Sequence, residues 1–141
     1  MNKIYHSIIA FEGIDKTGKE IVKRYVDYLG NRKYVLVDRG IISNLVYNNK
    51  IFNRNYYYDL NDFKSWLFVY LIADETDIEI RCKLTNEQKY DIKSHLNAFN
   101  STIEELKEYG FNILTINTSH TTPYDAAQEI LKYIENFNKE N

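Results

Sequence analysis

With 141 residues and 44% hydrophobic content, the chain is long enough for one compact domain with a core (residues 1–141) and too short for two. Its formal net charge of −2 supplies no basic field, so a nucleic-acid partner is not expected. The single cysteine, Cys82, excludes an internal disulfide framework or a Cys/His metal site and fits a reducing cytoplasm.

The first element is a β-rich run from Ile4 to Phe11 that ends at Gly13, which predicts a strand. Its apolar part is too short for a signal-peptide core or a membrane span, so no membrane role is expected. Lys19 to Leu29 carries Ile21, Val22, Tyr25, Val26 and Leu29 at helical spacing, with Gly30 as the expected C-terminal cap. The run Tyr34 to Val37 reads as a parallel strand buried on both faces. Ser43 is placed to cap a short helix through Asn48, and the stretch Tyr47 to Asp62 has no clear period. Trp66 to Ala73 is the strongest strand in the chain. Thr76 and Glu79 form an S/T-x-x-E capping box for a helix to about Leu84. A longer helix follows, with Ile92, Leu96, Phe99, Ile103 and Leu106 on one stripe and Gly110 ending it. Asn112 to Asn117 reads as the last strand. Thr122-Pro123 then opens a final helix carrying Ala127, Ile130, Leu131, Ile134 and Phe137.

Alternating strands and helices predict an α/β fold: a three-layer arrangement with about four parallel strands between helices and right-handed crossovers. Ligands of such sheets sit at the carboxyl ends of the strands. At the end of the first predicted strand stands a G-x-x-x-x-G-K pattern, Gly13 to Lys19. Glycines there let backbone N–H groups turn inward as an anion nest, and the following helix N-terminus adds partial positive charge. Lys19 is spaced to reach β- and γ-phosphates. The position that normally carries a magnesium-binding hydroxyl is Glu20.

The letters around this loop narrow the comparison. Phe11 to Lys19, "FEGIDKTGK", resembles the phosphate loop of thymidylate kinases and related deoxynucleoside monophosphate kinases, F-E-G-x-D-x-S/T-G-K-S/T. Val35 to Asn48, "VLVDRGIISNLVYN", is similar to that family's D-R-x-x-x-S-x-x-A-Y-Q block, with Asp38, Arg39, Ser43, Tyr47 and Asn48 in register. A weaker likeness links "VYLIADETDIEIRCK" to the strand–helix leading into the family's lid, with Arg81 at its arginine. The resemblance implies a P-loop NTPase-like fold and transfer of the γ-phosphoryl of ATP to a deoxynucleoside monophosphate, dTMP-like, with Mg2+. It implies that Gly13, Ile14, Asp15, Lys16, Thr17, Gly18, Lys19 and Glu20 hold the donor phosphates. It implies catalytic roles for Asp15, Lys19, Arg39 and Arg81, and acceptor binding by Arg39, Ser43, Tyr47 and Asn48. Asp38 and Glu20 are the implied metal ligands, nucleotides the implied partners, and a homodimer is consistent with the family.

Three departures define the alternative, a catalytically impaired kinase-fold protein that binds a nucleotide or a protein partner in a regulatory role. Glu20 replaces the hydroxyl. The chain passes from its first helix directly to "YVLVDR", so one edge strand and part of the acceptor wall are expected to be missing. The lid has Thr85 where the family has a second arginine, with only Lys83 and Lys89 nearby. The Tyr56-Tyr57-Tyr58 run, beside Phe52 and Arg54, reads as packing or a partner surface more readily than as a base-stacking platform. His6, His95 and His120 stand singly and read as surface or structural.

Overall fold

Two apolar runs set the centre of the sheet. The computed structural model describes residues 6–54, 56–84 and 91–140. Within them, β1 (Ile8–Glu12) and β3 (Leu67–Ile72) lie side by side and almost wholly buried. β2 (Val35–Asp38) pairs with the other side of β1, and β4 (Asn112–Asn117) with the other side of β3. The result is a four-stranded sheet in the order β2-β1-β3-β4 with every pairing parallel. Ile4, expected at the start of the first strand, and Thr85 and Lys89 of the expected lid lie outside the described residues.

Side chains alternate across each strand and build two cores. Ile9, Phe11, Leu67, Val69 and Leu71 face α1 (Lys19–Leu29) and α5 (Pro123–Glu140), packing on Val22, Val26, Ala127, Ile130 and Ile134. Ala10, Phe68 and Tyr70 face the other layer. That layer holds α2 (Ile41–Asn44), α3 (Glu75–Leu84) and α4 (Ile92–Glu108), through Ile41, Ile42, Ile78, Phe99, Ile103 and Leu106. This is the three-layer, parallel α/β fold expected from the sequence. By the same alternation Glu12, the last residue of β1, belongs to the second side.

Several local expectations are corrected. β2 is an edge strand, with Val35 and Asp38 exposed, and is not buried on both faces; an apolar run alone does not reveal its place in the sheet. Gly30 does occupy the C-cap of α1, but at φ −84; the left-handed turn is made by Asn31 (φ 54) and Arg32 (φ 57). The Arg32 amide reaches back to the Asp27 carbonyl at 2.9 Å, as in a Schellman closure. Ser43 lies inside α2, whose N-cap is Gly40, because its side chain turns inward to Glu12 instead of capping. From Leu45 the chain continues as a π-helical segment to Ile51, and Leu60–Phe63 forms a 3-10 turn. The α3 helix begins at Glu75, ahead of the capping box expected at Thr76.

Candidate functional site

Because all four strands run parallel, the segments that follow them meet at one edge of the sheet. The loop after β1 makes a tight path there. Gly13 has φ 139, and a Cβ on it would lie 2.4 Å from the Leu71 carbonyl oxygen, so the loop presses against the end of β3 at a point only glycine fits. Gly18 (φ 85) closes the loop as the left-handed N-cap of α1. Between them, Lys16 also has a positive φ of 67, a backbone state that non-glycine residues hold only when their surroundings require it.

The surroundings are visible. The Thr17 hydroxyl donates to the Ile14 carbonyl at 3.0 Å. The Thr118 hydroxyl, just beyond β4, lies 2.7 Å from the Thr17 carbonyl and 3.2 Å from that of Ile72. From α3, Arg81 Nη1 donates to the Lys16 carbonyl at 2.6 Å. The loop is thus held against β3, Thr118 and α3.

Lys19 folds into the hollow of the loop. Its ammonium donates to the carbonyls of Ile14 (2.6 Å) and Gly13 (3.1 Å) and reaches the Thr17 hydroxyl at 3.4 Å. Burial disfavours the charged form and draws its pKa down to about 8; the nearby Asp38 and Glu12 carboxylates act in the opposite direction. An anion seated in the loop would add to the counter-charge of Asp38 and Glu12 and favour the charged form further.

A cleft of about 780 Å³ opens beside the loop, lined by Asp15, Lys19, Asp38, Arg39, Arg81 and Thr118 among others. Asp38 ends β2 opposite Phe11 of β1. Arg39 follows in a left-handed conformation (φ 60), and its guanidinium is paired with Asp15. Glu20 also lines the cleft, with its carboxylate paired to Arg24 at 3.4 Å and Lys23 at 3.7 Å along α1. The structure therefore brings the loop, Asp38, Arg39 and Arg81 together.

Ser43, Tyr47 and Asn48 are not in the cleft wall among the described residues. Ser43 is buried, and its hydroxyl donates to Glu12. The Tyr47 ring packs edge-on against His95 and Phe99, with the Arg39 guanidinium 5.8 Å from its centroid. Desolvation raises the Tyr47 pKa, which keeps the phenol neutral. Asn48 donates to the Tyr58 hydroxyl at 2.9 Å. Of the tyrosine run, Tyr58 is thus partly packed, whereas Tyr56 and Tyr57 are exposed. His6 is buried at the far end of the sheet, stacked on Phe137 with its ring nitrogens bonded to the Ser65 carbonyl and Asn112. His120 pairs with Asp74 at the surface.

Two residues of the site were not singled out from sequence. Thr118 carries no motif and acts by position after the last strand. Glu12 is fully buried, and its carboxylate accepts from the Gly40 amide (2.7 Å), the Ser43 amide (3.0 Å) and the Ser43 hydroxyl (2.8 Å). Desolvation raises its pKa, and these hydrogen bonds partly counter the rise. The sequence signals were its place as the glutamate of the F-E-G-x-D pattern and a carboxylate at the end of an otherwise apolar strand.

No protein-family model matches the sequence, and no curated protein does. Solved structures do. The YorR protein of Bacillus subtilis, determined in complex with phosphorylated GDP, superposes with a TM-score of 0.73 at 19% identity, over 91% of this chain and 95% of that one. At that identity the likeness establishes the fold alone, a three-layer α/β domain around a four-stranded parallel sheet. The thymidylate kinase of Candida albicans aligns over 97% of this chain and 94% of its own at 12% identity and a TM-score of 0.47.

Proposed function

We propose that this chain binds a nucleoside triphosphate at the glycine loop and transfers its γ-phosphoryl group to a deoxynucleoside monophosphate, dTMP-like. The observation that carries the reading is the convergence of Lys19, Arg39 and Arg81 with Asp15 and Asp38 on one cleft above a left-handed glycine loop. That YorR was captured with phosphorylated GDP supports a nucleotide as the occupant.

Phosphoryl transfer asks for positioning and cationic stabilisation more than for covalent chemistry. Lys19 leaves the loop carbonyls and meets the β- and γ-phosphates. Arg81 approaches the donor side. The Arg39 fork, exchanging Asp15 for a ligand, takes the acceptor phosphate in two parallel hydrogen bonds. An acceptor phosphate oxygen then forms a bond to the γ-phosphorus as the bond from that phosphorus to the β–γ bridging oxygen breaks. The products are a nucleoside diphosphate from each side, with no net proton required. Magnesium fits this donor set: one carboxylate, Asp38, ends a strand beside the loop, and Mg2+ usually takes one or two carboxylates and completes its shell with phosphates and water. When bound, it neutralises phosphate charge. No group of three or more His, Cys, Asp or Glu side chains suited to a metal occurs among the described residues, in keeping with a metal that arrives with its nucleotide.

Glu20, a carboxylate on the cleft wall where the phosphate loop is expected to carry a hydroxyl, favours the second reading, a nucleotide-binding regulatory protein without turnover. One experiment separates the two. Purified protein is incubated with ATP, Mg2+ and each deoxynucleoside monophosphate, dTMP and dGMP included, while nucleotide binding is measured by calorimetry. ADP and a deoxynucleoside diphosphate appearing together support transfer; tight binding with neither product supports the regulatory reading. No binding of any nucleotide overturns both.

A further inference from the structure

Arg39 lines the cleft from a stretch of backbone that takes an uncommon path. It is a non-glycine residue at φ 60, set between the end of β2 and the start of α2. Its own amide continues the sheet by donating to the Phe11 carbonyl at 3.0 Å. Immediately after it, the amides of Gly40 and Ser43 and the Ser43 hydroxyl all point into the protein at a single group, the Glu12 carboxylate. A buried carboxylate without hydrogen-bond donors would be strongly unfavourable, and here the donors come from one short turn. Glu12 also adjoins Gly13, the residue pressed against β3. One side chain therefore ties the base of the loop to the turn that presents Arg39.

We propose that Glu12 is a positioning residue: its carboxylate locks the 39–43 turn so that the Arg39 guanidinium stands in the cleft opposite Asp15. The proposal rests on the reading above that Arg39 holds the acceptor phosphate, and it assigns to Glu12 control chiefly of the acceptor half, its through-space support of the Lys19 charge being the lesser effect. Glu12→Gln is the probe. An amide of the same shape can offer one oxygen to the turn, but its NH2 must then face a backbone N–H, so the turn loses an acceptor in either orientation.

Calorimetry on the full chain, with ADP and dTMP titrated separately, reads the two halves. Glu12→Gln is expected to weaken dTMP binding about tenfold, the cost of losing a charged hydrogen-bond acceptor, and to weaken ADP binding clearly less, because Glu12 reaches the donor side only through its smaller effect on the Lys19 charge. In an Arg39→Ala background the same change is expected to alter dTMP binding by less than about twofold, because the effect runs through Arg39. Additive losses, equal losses of ADP and dTMP, or unchanged dTMP binding overturn the proposal. A protein that binds both ligands without turnover removes the transfer reading and leaves this cycle intact. Should dTMP not bind the wild-type chain at all, amide hydrogen exchange decides: Glu12→Gln must speed exchange at residues 39–43 and spare residues 13–19, and uniform loosening sinks it. Ser43→Ala, which removes one donor of three, is the milder variant if Glu12→Gln does not fold, with the same pattern at smaller amplitude.

Discussion

The charge on Lys19 gives the most direct test of the glycine loop. Its ammonium is buried among carbonyls, with a pKa drawn down to about 8. The free protein therefore loses this proton in a range where nucleotide phosphates, which titrate near about pH 6, are already fully charged. From that pKa, the charged fraction falls from about three-quarters at pH 7.5 to about one-tenth at pH 9. Only the charged form meets a phosphate productively, so ADP affinity should fall about eightfold across this window, roughly 1.2 kcal/mol. Binding an anion raises the pKa, so complex formation near pH 8 should take up about half a proton. Calorimetry in buffers of different ionisation enthalpy reads both quantities. Lys19→Arg stays charged throughout, so its affinity, whatever its absolute level, should be flat with pH. A wild-type affinity that is equally flat, with no proton uptake, would refute the placement of Lys19 as a desolvated cation awaiting an anion.

Further outcomes follow from individual contacts. Glu20→Thr removes a carboxylate from the cleft wall and restores a hydroxyl; nucleotide affinity with Mg2+ should rise about threefold or more, and an unchanged affinity in calorimetry would show that Glu20 does not oppose the phosphates. The loss of its pairs along α1 should cost no more than about 0.5 kcal/mol in urea melts. Gly13→Ala drives a methyl into the Leu71 carbonyl at a positive φ and should destabilise the protein by more than about 2 kcal/mol, measured by urea denaturation. The His6 pKa is lowered by burial, so the unfolded chain binds the proton first as pH falls. Stability from this site should be complete above about pH 6.5 and decline below it, and His6→Gln should flatten that slope in thermal melts taken across pH.

What the sequence revealed and what it concealed follows from the range of the interactions involved. The glycine loop was legible because its spacing and the flanking strand and helix periods are local. The same holds for α4 and α5, and for Val22, Val26 and Leu29 of α1, whereas Ile21 and Tyr25 of the same expected stripe stay exposed. β2 was misjudged because burial of a strand depends on its rank in the sheet, which its own letters do not carry. The left-handed turn after α1 fell on Asn31 and Arg32, one residue past the glycine that usually takes it. Ser43 was picked out by its place in a motif, yet its partner, Glu12, lies 31 residues away in sequence. Glu12 stood as a matched letter of the F-E-G-x-D pattern, but its role shows only in the Gly40–Ser43 turn that closes over it. The π-helical path of Leu45–Ile51 has no sequence period that marks it.

The open edge at β2 has a consequence for how this architecture tolerates change. The glycine loop is braced by Leu71, Arg81 and Thr118, which belong to β3, α3 and the segment after β4, all away from that edge. Arg39 alone among the cleft cations is delivered from the edge strand. Insertions or grafts beside β2 thus bear on the half of the cleft served by Arg39 and leave the loop's braces untouched. Under the proposed function, change at this boundary bears on the acceptor side first, while the Glu12 and Asp15 contacts with the 39–43 turn keep it in register with the loop.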